Sequence, residues 1–342
     1  MTRTPVIALI VLAASAADAC TTALDVDPRR PIVAYNYDFG IGQGLVLVNK
    51  RGVEKASGVG RGGARWQSRF GSITFVQFGR DNPMTGMNEA GLVTTQMWLD
   101  SARYEGPDAR PAVDELEWMQ FLLDTAPTVE EAPARAAEIR IESRIPLHYG
   151  LADATGDAAF VEFLEGERVV HRGKALLRAA LTNTAYAEAL SYLTGLRSLD
   201  VPAGSGSLER FARAAIRGGP AGMADPVERA FDTLRSVAQP GSTRWSIVYD
   251  PKNLAVTWRS HENGALRKVE LKSFDLSCTS PVQLLGVHEG RGDVGGQFRD
   301  YTLADNEALV LSSYAETPFL VPLGPEAARR SAREPEGSRC AE

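Results

Sequence analysis

Short segments in which apolar and polar residues alternate, separated by tight turns, make up much of this chain. Alternation over four to eight residues indicates β-strands that turn one face towards a core. The pattern predicts strands at residues 32–37, 44–49, 72–78, 91–98, 149–154, 158–164, 168–171, 245–249 and 255–259. Thr155-Gly156-Asp157 and Glu165-Gly166-Glu167 supply the turns of an antiparallel meander. Met87-Asn88-Glu89 is predicted to form the turn before the strand at residues 91–98.

Helical periodicity is found in the middle of the chain. Apolar residues lie mainly on one side of a predicted helix at residues 113–125, and Thr128 with Glu131 forms the capping box of a second helix. Further amphipathic helices are predicted at residues 185–196, 208–216 and 227–237. Because strands occur before, between and after these helices, the sequence predicts a layered α+β domain and disfavours a Rossmann-type sheet.

The first 19 residues have the pattern of an export signal. Arg3 gives a positive start, residues 5–14 form an apolar run, and Ala17-Asp18-Ala19 presents the small residues after which a signal peptidase cuts. The apolar run is shorter than the roughly 20 residues that span a bilayer. We therefore expect a periplasmic or secreted protein that begins at Cys20 and has no membrane contact after removal of the signal.

A lipid-anchored surface protein would also begin with a cysteine. Its signal normally carries leucine three residues before that cysteine and small uncharged residues between the two. In this chain Ala17 and the charged Asp18 occupy these positions. A free N-terminal Cys20 is therefore the favoured interpretation.

The composition is typical of one enzyme-sized domain. Hydrophobic residues make up 44% and charged residues 23% of the chain, which is enough to bury a large core. The formal net charge of −6 argues against nucleic acid or an anionic membrane as a partner. Because there is no linker-like break and no internal repeat, we expect one domain at residues 20–324 and a polar tail at residues 325–342.

The chain contains three cysteines, Cys20, Cys278 and Cys340. If Cys20 is kept as a thiol, the other two can form a disulfide in an oxidising compartment, and that bond would hold the tail against the domain. The alternative is two unpaired thiols, one buried and one on a frayed terminus. The sequence leaves both alternatives open.

An N-terminal cysteine carries a nucleophile and a base in one residue. Its α-amine has an ordinary pKa of roughly 7.7–8.0 and lies within hydrogen-bonding range of its own thiol. The thiol would attack an amide carbonyl, the amine would pass the proton to the leaving nitrogen, and water would later release the acyl group. This chemistry requires no histidine.

The four histidines of the chain carry no recognisable motif. His148, His171, His261 and His288 lie outside any zinc-binding or serine-hydrolase pattern. His148 and His171 fall at the edges of predicted strands and are interpreted as structural. We expect neither a metal site nor a cofactor.

Five landmarks occur in a fixed order along the chain. They are Cys20-Thr21, Tyr35-Asn36-Tyr37-Asp38-Phe39, Gly86-Met87-Asn88-Glu89-Ala90-Gly91-Leu92, Leu181-Thr182-Asn183 and Arg210-Phe211. In this order they resemble the choloylglycine hydrolase family, which includes bile salt hydrolases and penicillin V acylases. The resemblance extends from Cys20 almost to the C-terminal tail. It implies the four-layer αββα sandwich of N-terminal-nucleophile hydrolases, with antiparallel sheets.

The resemblance also implies a role for individual residues. Cys20 would be the nucleophile, and Asp38 would hold its α-amine through a charge-assisted hydrogen bond. The side-chain amide of Asn183 and the backbone N–H of Trp98 would stabilise the oxyanion, a contribution of about 2.7–4 kcal/mol for one such donor. Arg210 would bind near the nucleophile and help to keep its thiolate charged.

One position departs from the family pattern. Better-known members carry arginine three residues before the aspartate, and this chain has Tyr35 there. A phenol cannot supply the permanent charge of a guanidinium. Either Arg210 alone sets the thiolate pKa, or Tyr35 donates a hydrogen bond, or the activity is altered in kind. Hydrolysis of bile salts in particular is a poor expectation.

The family pairs a hydrophobic acyl group with a polar amine, so the resemblance implies an apolar pocket for a small-molecule N-acyl amide. The candidate substrate-binding residues are Trp98, Met97, Tyr35, Tyr37 and Met87. The expected activity is hydrolysis of a linear amide bond in penicillin V, an N-acyl homoserine lactone or an N-acyl amino acid. The alternative is an exported binding protein on the same scaffold, with altered or no activity. Family members are often tetramers, which suggests a homotetramer.

Overall fold

Two sheets stacked face to face form the centre of the protein. A computed structural model describes residues 20–196, 204–216 and 225–341. The predicted export signal at residues 1–19 lies outside the described residues.

Strand numbers follow the chain, whereas the pairing of the strands sets their spatial order within each sheet. From edge to edge, the seven strands of the first sheet are β14 (Ala180–Leu181), β1 (Thr21–Asp25), β2 (Ile32–Asp38), β15 (Thr243–Asp250), β16 (Ala255–Ser260), β17 (Arg267–Glu270) and β19 (Gly292–Asp293). The nine strands of the second sheet are β13 (Glu167–Arg172), β12 (Ala158–Leu164), β11 (Leu147–Ala152), β8 (Val93–Trp98), β7 (Pro83–Asn88), β6 (Ser72–Val76), β3 (Leu45–Asn49), β18 (Gln283–Gly286) and β20 (Arg299–Asp300). Neighbouring strands run antiparallel, except that β17 and β19 run parallel.

Smaller sheets and helices surround this centre. The small sheets consist of β21 (Arg339–Cys340), β4 (Val53–Ala56) and β5 (Arg65–Gln67), and of β10 (Arg140–Ile141) with β9 (Ala112–Val113). The α-helices of the described chain are α1 (Glu117–Thr125), α2 (Ala132–Ala136), α3 (Tyr186–Gly195), α4 (Ser207–Ile216), α5 (Pro226–Val237), α6 (Leu303–Glu316) and α7 (Gly324–Arg333). Within the described ranges, no helix has the length and apolar character needed to cross a membrane.

The helices cover the outer faces of the two stacked sheets. Helix α1 packs on β7 and β8 of the nine-stranded sheet. On the seven-stranded sheet, α4 packs on β1, and α5 packs on β1, β2 and β15. Between the sheets, the hydroxyl of Tyr35 donates to the carbonyl of Gln96 at 2.9 Å. The resulting order of helix, sheet, sheet and helix confirms the predicted α+β class and the αββα sandwich.

Strand β2 lies at the middle of the stack and is buried on both faces. Tyr35 and Tyr37 point between the sheets, where the hydroxyl of Tyr37 bonds to Oε1 of Gln77. Asn36 points the other way and donates to the carbonyl of Leu234 in α5 at 2.9 Å. A buried polar side chain needs such a partner, so each face of β2 is specified by its own hydrogen bonds.

The first helix begins later than its periodicity predicts. Ala112–Val113 forms β9 instead, and Asp114 accepts the N–H of Glu117, the first residue of α1, at 2.6 Å. Glu117 in turn accepts the N–H of Asp114 at 3.0 Å. These reciprocal bonds close the turn between β9 and α1, so the helix begins four residues later than predicted.

The turn predicted at Met87-Asn88-Glu89 is shifted along the chain. Met87 and Asn88 are the last residues of β7, and Asn88 accepts the N–H groups of Ala90 and Leu92 through its side-chain oxygen. Gly91 has a φ of +90°, a conformation that other residues adopt only with strain. The segment is therefore the hairpin between β7 and β8.

The C-terminal segment is folded against the domain. Residues 325–342 were expected to form a polar tail, yet α7 packs on α6 and β21 pairs with β4. A disulfide joins Cys278 to Cys340, with their Cα atoms 5.6 Å apart, so the pair is bonded and not two free thiols. Cys20 is a buried free cysteine.

Replacing Cys340 by serine should lower the free energy of unfolding. The bond spans a sequence separation of 62 residues, and releasing such a loop constraint in the unfolded chain costs about 2–4 kcal/mol. Chemical denaturation of the oxidised protein and of C340S measures the difference. The wild type in excess reductant serves as the control, because it should match the variant. Equal stability of the oxidised and reduced wild type would contradict this prediction.

Candidate active site

Cys20 immediately precedes β1 and lies beside the end of β2. Because Thr21 pairs with Asn36, Cys20 falls opposite Tyr37 and next to Asp38. The backbone N–H of Asp38 points at the sulfur of Cys20, with 3.5 Å between nitrogen and Sγ. The Cys20 side chain is buried. The register of one strand pair thus joins a thiol to a carboxyl-bearing residue 18 positions away.

Two residues from a distant part of the chain hold the carboxylate of Asp38. Gln239 donates its side-chain amide to Oδ2 at 2.9 Å, and Thr243 donates its hydroxyl to Oδ1. Thr243 is the first residue of β15 and pairs directly with Asp38 across the sheet. Sequence reasoning missed both residues, because neither belongs to a motif.

The surroundings of Cys20 hold its thiol in the neutral form. Burial raises the pKa of the thiol to about 12, and the negative charge of Asp38 contributes to the increase. The neighbouring hydroxyl of Tyr35 and the positive charge of Arg210 lower this pKa, but by less. At neutral pH the sulfur is therefore a thiol, and a nucleophilic attack by it requires a base.

Tyr35 lies next to the thiol, at the position that departs from the family pattern. Its hydroxyl donates to the carbonyl of Gln96 at 2.9 Å and is within hydrogen-bonding range of Cys20. Burial raises the pKa of Tyr35 well above its usual value. The phenol is consequently a neutral hydrogen-bond donor at this position.

Arg210 connects Cys20 to Asn183. Its side chain projects from α4 and is fully buried. One terminal nitrogen donates to the carbonyl of Cys20 at 2.9 Å and to the hydroxyl of Thr21 at 2.6 Å, and the other donates to Oδ1 of Asn183 at 3.1 Å. The guanidinium therefore fixes the backbone of Cys20 and the orientation of the Asn183 amide together.

Asn183 and Trp98 are also brought together. The amide nitrogen of Asn183 donates to the carbonyl of Trp98 at 2.9 Å, which uses one of its two N–H bonds. Leu99 donates its backbone N–H to Pro146, the residue before β11. Because successive N–H groups of a strand point to opposite sides, the N–H of Trp98 points away from β11. The two predicted oxyanion donors thus come from residues that are distant in the sequence but are joined by a hydrogen bond.

A cavity of about 150 Å³ opens onto Cys20. Its wall is largely apolar and is formed by Tyr37, Phe39, Phe78, Met84, Trp98, Leu116, Ile145, Leu147, Tyr314, Phe319 and Leu320. The polar residues of the wall are Asp38, Asn82, Gln96, Asp114, Glu115 and Ser331. Burial raises the pKa of Asp114 and of Glu115, which favours their neutral forms. The cavity is therefore suited to an apolar group attached to a reactive carbonyl.

The cavity contains some of the predicted substrate-binding residues and not others. Trp98 and Tyr37 line it, and Tyr35 lies behind Cys20. Met97 is fully buried and accepts a hydrogen bond from the hydroxyl of Thr22 between the sheets. Met87 is buried in β7, away from the wall of the cavity. Neighbouring residues of a strand point to opposite faces, which separates Met97 from Trp98.

The C-terminal part of the chain supplies a side of the cavity that sequence reasoning missed. Phe319 follows α6 and lies 6.3 Å from the ring of Trp98, measured between centroids. Tyr314, Leu320 and Ser331 come from the same part of the chain. No motif marks these residues. In the described ranges, no group of three or more histidine, cysteine, aspartate or glutamate side chains is arranged to hold a metal ion.

The amino-acid sequence matches a known group of enzymes. The sequence profile of the linear amide C-N hydrolases, choloylglycine hydrolase family, matches residues 23–229. A penicillin V acylase from Pectobacterium atrosepticum is 25% identical over 324 aligned residues, which cover 78% of this chain and 85% of that protein.

Solved structures of similar proteins have the same fold. The penicillin V acylase from Agrobacterium tumefaciens is 26% identical, with a TM-score of 0.72, and the match covers 83% of this chain and 98% of that one. A mutant of the conjugated bile acid hydrolase from Clostridium perfringens is 16% identical, with a TM-score of 0.64 over 80% of this chain and 98% of its own.

Replacing Asp38 by asparagine should lower the pKa of the Cys20 thiol. The charge of Asp38 raises that pKa in the folded chain, and asparagine keeps the shape of the side chain without its charge. Thiolate absorbance followed against pH in the full-length chain measures the shift, with C20S subtracted to isolate the signal of Cys20.

Asp25→Asn is the matched control for this titration, because Asp25 lies at the other end of β1. It should leave the thiol pKa unchanged. An unchanged or raised pKa in D38N would show that the charge of Asp38 does not act on the sulfur.

Proposed function

The chain belongs to the choloylglycine hydrolase family of linear amide C–N hydrolases, and from this premise we propose that it is an exported acylase with Cys20 as its nucleophile. The substrates are small N-acyl amides of the penicillin V, N-acyl homoserine lactone or N-acyl amino acid type. One observation carries the proposal. The buried thiol of Cys20 faces a largely apolar cavity, Asp38 lies next to the sulfur, and the guanidinium of Arg210 holds the carbonyl of Cys20.

The first step needs a base, since the pKa of the Cys20 thiol is raised by burial. Removal of residues 1–19 would create an α-amine on Cys20 itself, within reach of the sulfur. In the unprocessed chain this nitrogen is an amide and accepts no proton. Asp38, fixed by Gln239 and Thr243, is suited to hold the amine and to stabilise it when it becomes protonated.

The attack forms a bond between the sulfur and the carbonyl carbon, and the thiol proton moves to the amine. The carbonyl oxygen becomes an oxyanion, for which the second N–H of Asn183 and the backbone N–H of Trp98 are the donors. Arg210 supports this arrangement through its contact with the carbonyl oxygen of the Asn183 side chain. Donors already in position cost no reorganisation during the reaction.

The intermediate then collapses with cleavage of the C–N bond. The ammonium group of Cys20 gives its proton to the leaving nitrogen, and the acyl group remains on sulfur as a thioester. Water then attacks the thioester, and the amine takes up a proton from the water. The bond between carbon and sulfur breaks, the acid departs, and the amine returns its proton to the sulfur. The amine is therefore used once in each half of the cycle.

The apolar cavity supports an acyl group of hydrophobic character. Aromatic side chains supply much of the wall, which suits flat or extended apolar groups. The arginine of better-known family members is replaced by neutral Tyr35, which removes a positive charge from the neighbourhood of the substrate. We therefore favour acyl groups without a carboxylate near the scissile bond.

The central experiment compares three forms of the protein on a panel of acyl amides. The exported wild type should begin at Cys20 by mass and should release amine from at least one N-acyl amide, whereas C20A and a form that keeps residues 1–19 should be inactive. Full activity of either inactive control would refute the mechanism. Binding without turnover by the correctly processed wild type would support a binding protein instead.

Phe319→Ala should weaken the use of substrates with hydrophobic acyl groups. Full burial of such a side chain is worth about 1.5–3 kcal/mol, and Phe319 is partly buried, so kcat/KM should fall by about 10-fold. Val321→Ala is the matched control, because Val321 is half-exposed and lies outside the wall of the cavity. Equal kcat/KM for the two variants would exclude Phe319 from acyl-group binding.

A further inference from the structure

A fully buried histidine, His148, lies behind the two residues proposed to bind the oxyanion. It is the second residue of β11 and pairs with Met97 of β8. Its Nε2 lies 2.5 Å from the carbonyl oxygen of Thr182, and its Nδ1 lies 3.1 Å from the carboxylate of Glu162. Both ring nitrogens therefore face an oxygen.

Neither of these oxygens carries a proton to donate. The carbonyl of Thr182 can only accept, and a charged carboxylate can only accept. Burial raises the pKa of Glu162, but hydrogen bonds from His148 and His171 lower this pKa to about 2. Glu162 is thus an anion at physiological pH. Each ring nitrogen of His148 that carries a proton therefore has an acceptor within reach.

Glu162 joins this histidine to several neighbouring elements. Its Oε1 also accepts the backbone N–H of Tyr186 at the start of α3, and its Oε2 accepts from Nε2 of His171 in β13 at 2.9 Å. These contacts fix the carboxylate from three sides. The position of His148 is therefore set by the packing of β12, β13 and α3.

The contact of His148 with Thr182 acts on the next residue, Asn183. A carbonyl held at 2.5 Å fixes the plane of the peptide bond between Thr182 and Asn183. The strand that carries His148 also pairs with Trp98, through Leu147. His148 thus lies between the two sources of the proposed oxyanion donors.

We propose that His148, held between Glu162 and the carbonyl of Thr182, is a positioning residue that fixes Asn183 relative to the backbone N–H of Trp98. This inference rests on the proposed function, because it assigns a role within that reaction. His148 has no place in the cavity wall and touches no reacting atom. It acts through Thr182, and its effect is on the geometry of the transition state.

The same network also stabilises the fold, so the test must separate stability from positioning. His171 provides the comparison, because it contacts the other oxygen of Glu162 and has no contact with Thr182. His148→Asn and His171→Asn therefore disturb one network at two points, because asparagine is too short to replace a contact made by Nε2. Only the first removes the contact with Thr182 that anchors Asn183.

The experiment compares H148N and H171N in the form that begins at Cys20. For H148N, kcat should fall about 10- to 100-fold with KM within about twofold, since a misplaced donor affects the transition state more than the bound substrate. For H171N, kcat should stay within about twofold of the wild type. Alkylation of Cys20 by iodoacetamide, which forms no oxyanion, should proceed at the wild-type rate in both variants.

Two outcomes would overturn the inference alone. One is an equal kcat for H148N and H171N, and the other is a parallel loss of alkylation and turnover in H148N, which would indicate collapse of the site. If H148N does not fold, His148→Gln provides the test, because its amide can still donate to the carbonyl of Thr182. A kcat close to that of the wild type would then support the inference, and a loss of kcat with normal alkylation would overturn it. A correctly processed wild type that alkylates but hydrolyses no acyl amide would refute the proposed function, and this role with it.

Discussion

The pairing of β1 with β2 is the constraint on which the rest of the site depends. It sets Thr21 opposite Asn36 and so brings the thiol of Cys20 beside Asp38. A slip of one residue would turn every side chain of β1 to the opposite face. The register resists such a slip because β2 is buried on both sides. The hydrogen-bond partner of Tyr35 lies on one face of β2, and the partner of Asn36 lies on the other face.

The charges around Cys20 are compatible with burial because each is surrounded by partners. Taking an ion out of water costs several kcal/mol unless hydrogen bonds replace its hydration. The guanidinium of Arg210 has oxygen acceptors on Cys20 and Asn183, and the carboxylate of Asp38 has donors on Gln239 and Thr243. The contacts that shape the proposed site are therefore also contacts that stabilise the fold.

Local patterns predicted most of the framework, and long-range pairing determined the rest. The strand at residues 158–164 and the helix at residues 208–216 agree closely with β12 and α4, because each pattern lies within one element. Gln239 and Phe319 reach the site through strand pairing and helix packing, and their residue types carry no local signal. Met97 is instructive, because the twofold period of a strand already implies that it and Trp98 cannot both face the cavity.

Tyr35 determines what kind of nucleophile the site can hold. A second guanidinium at this position would favour a preformed thiolate. The neutral phenol of Tyr35 supplies no such charge, and burial raises the pKa of the Cys20 thiol to about 12. The sulfur therefore stays protonated. The site then needs a base that works near neutral pH, and an α-amine with a pKa of roughly 7.7–8.0 meets that need. On the proposed mechanism this amine exists only after cleavage before Cys20. The proposed mechanism thereby couples export to activity through a single nitrogen, and it predicts that the uncleaved chain is inactive.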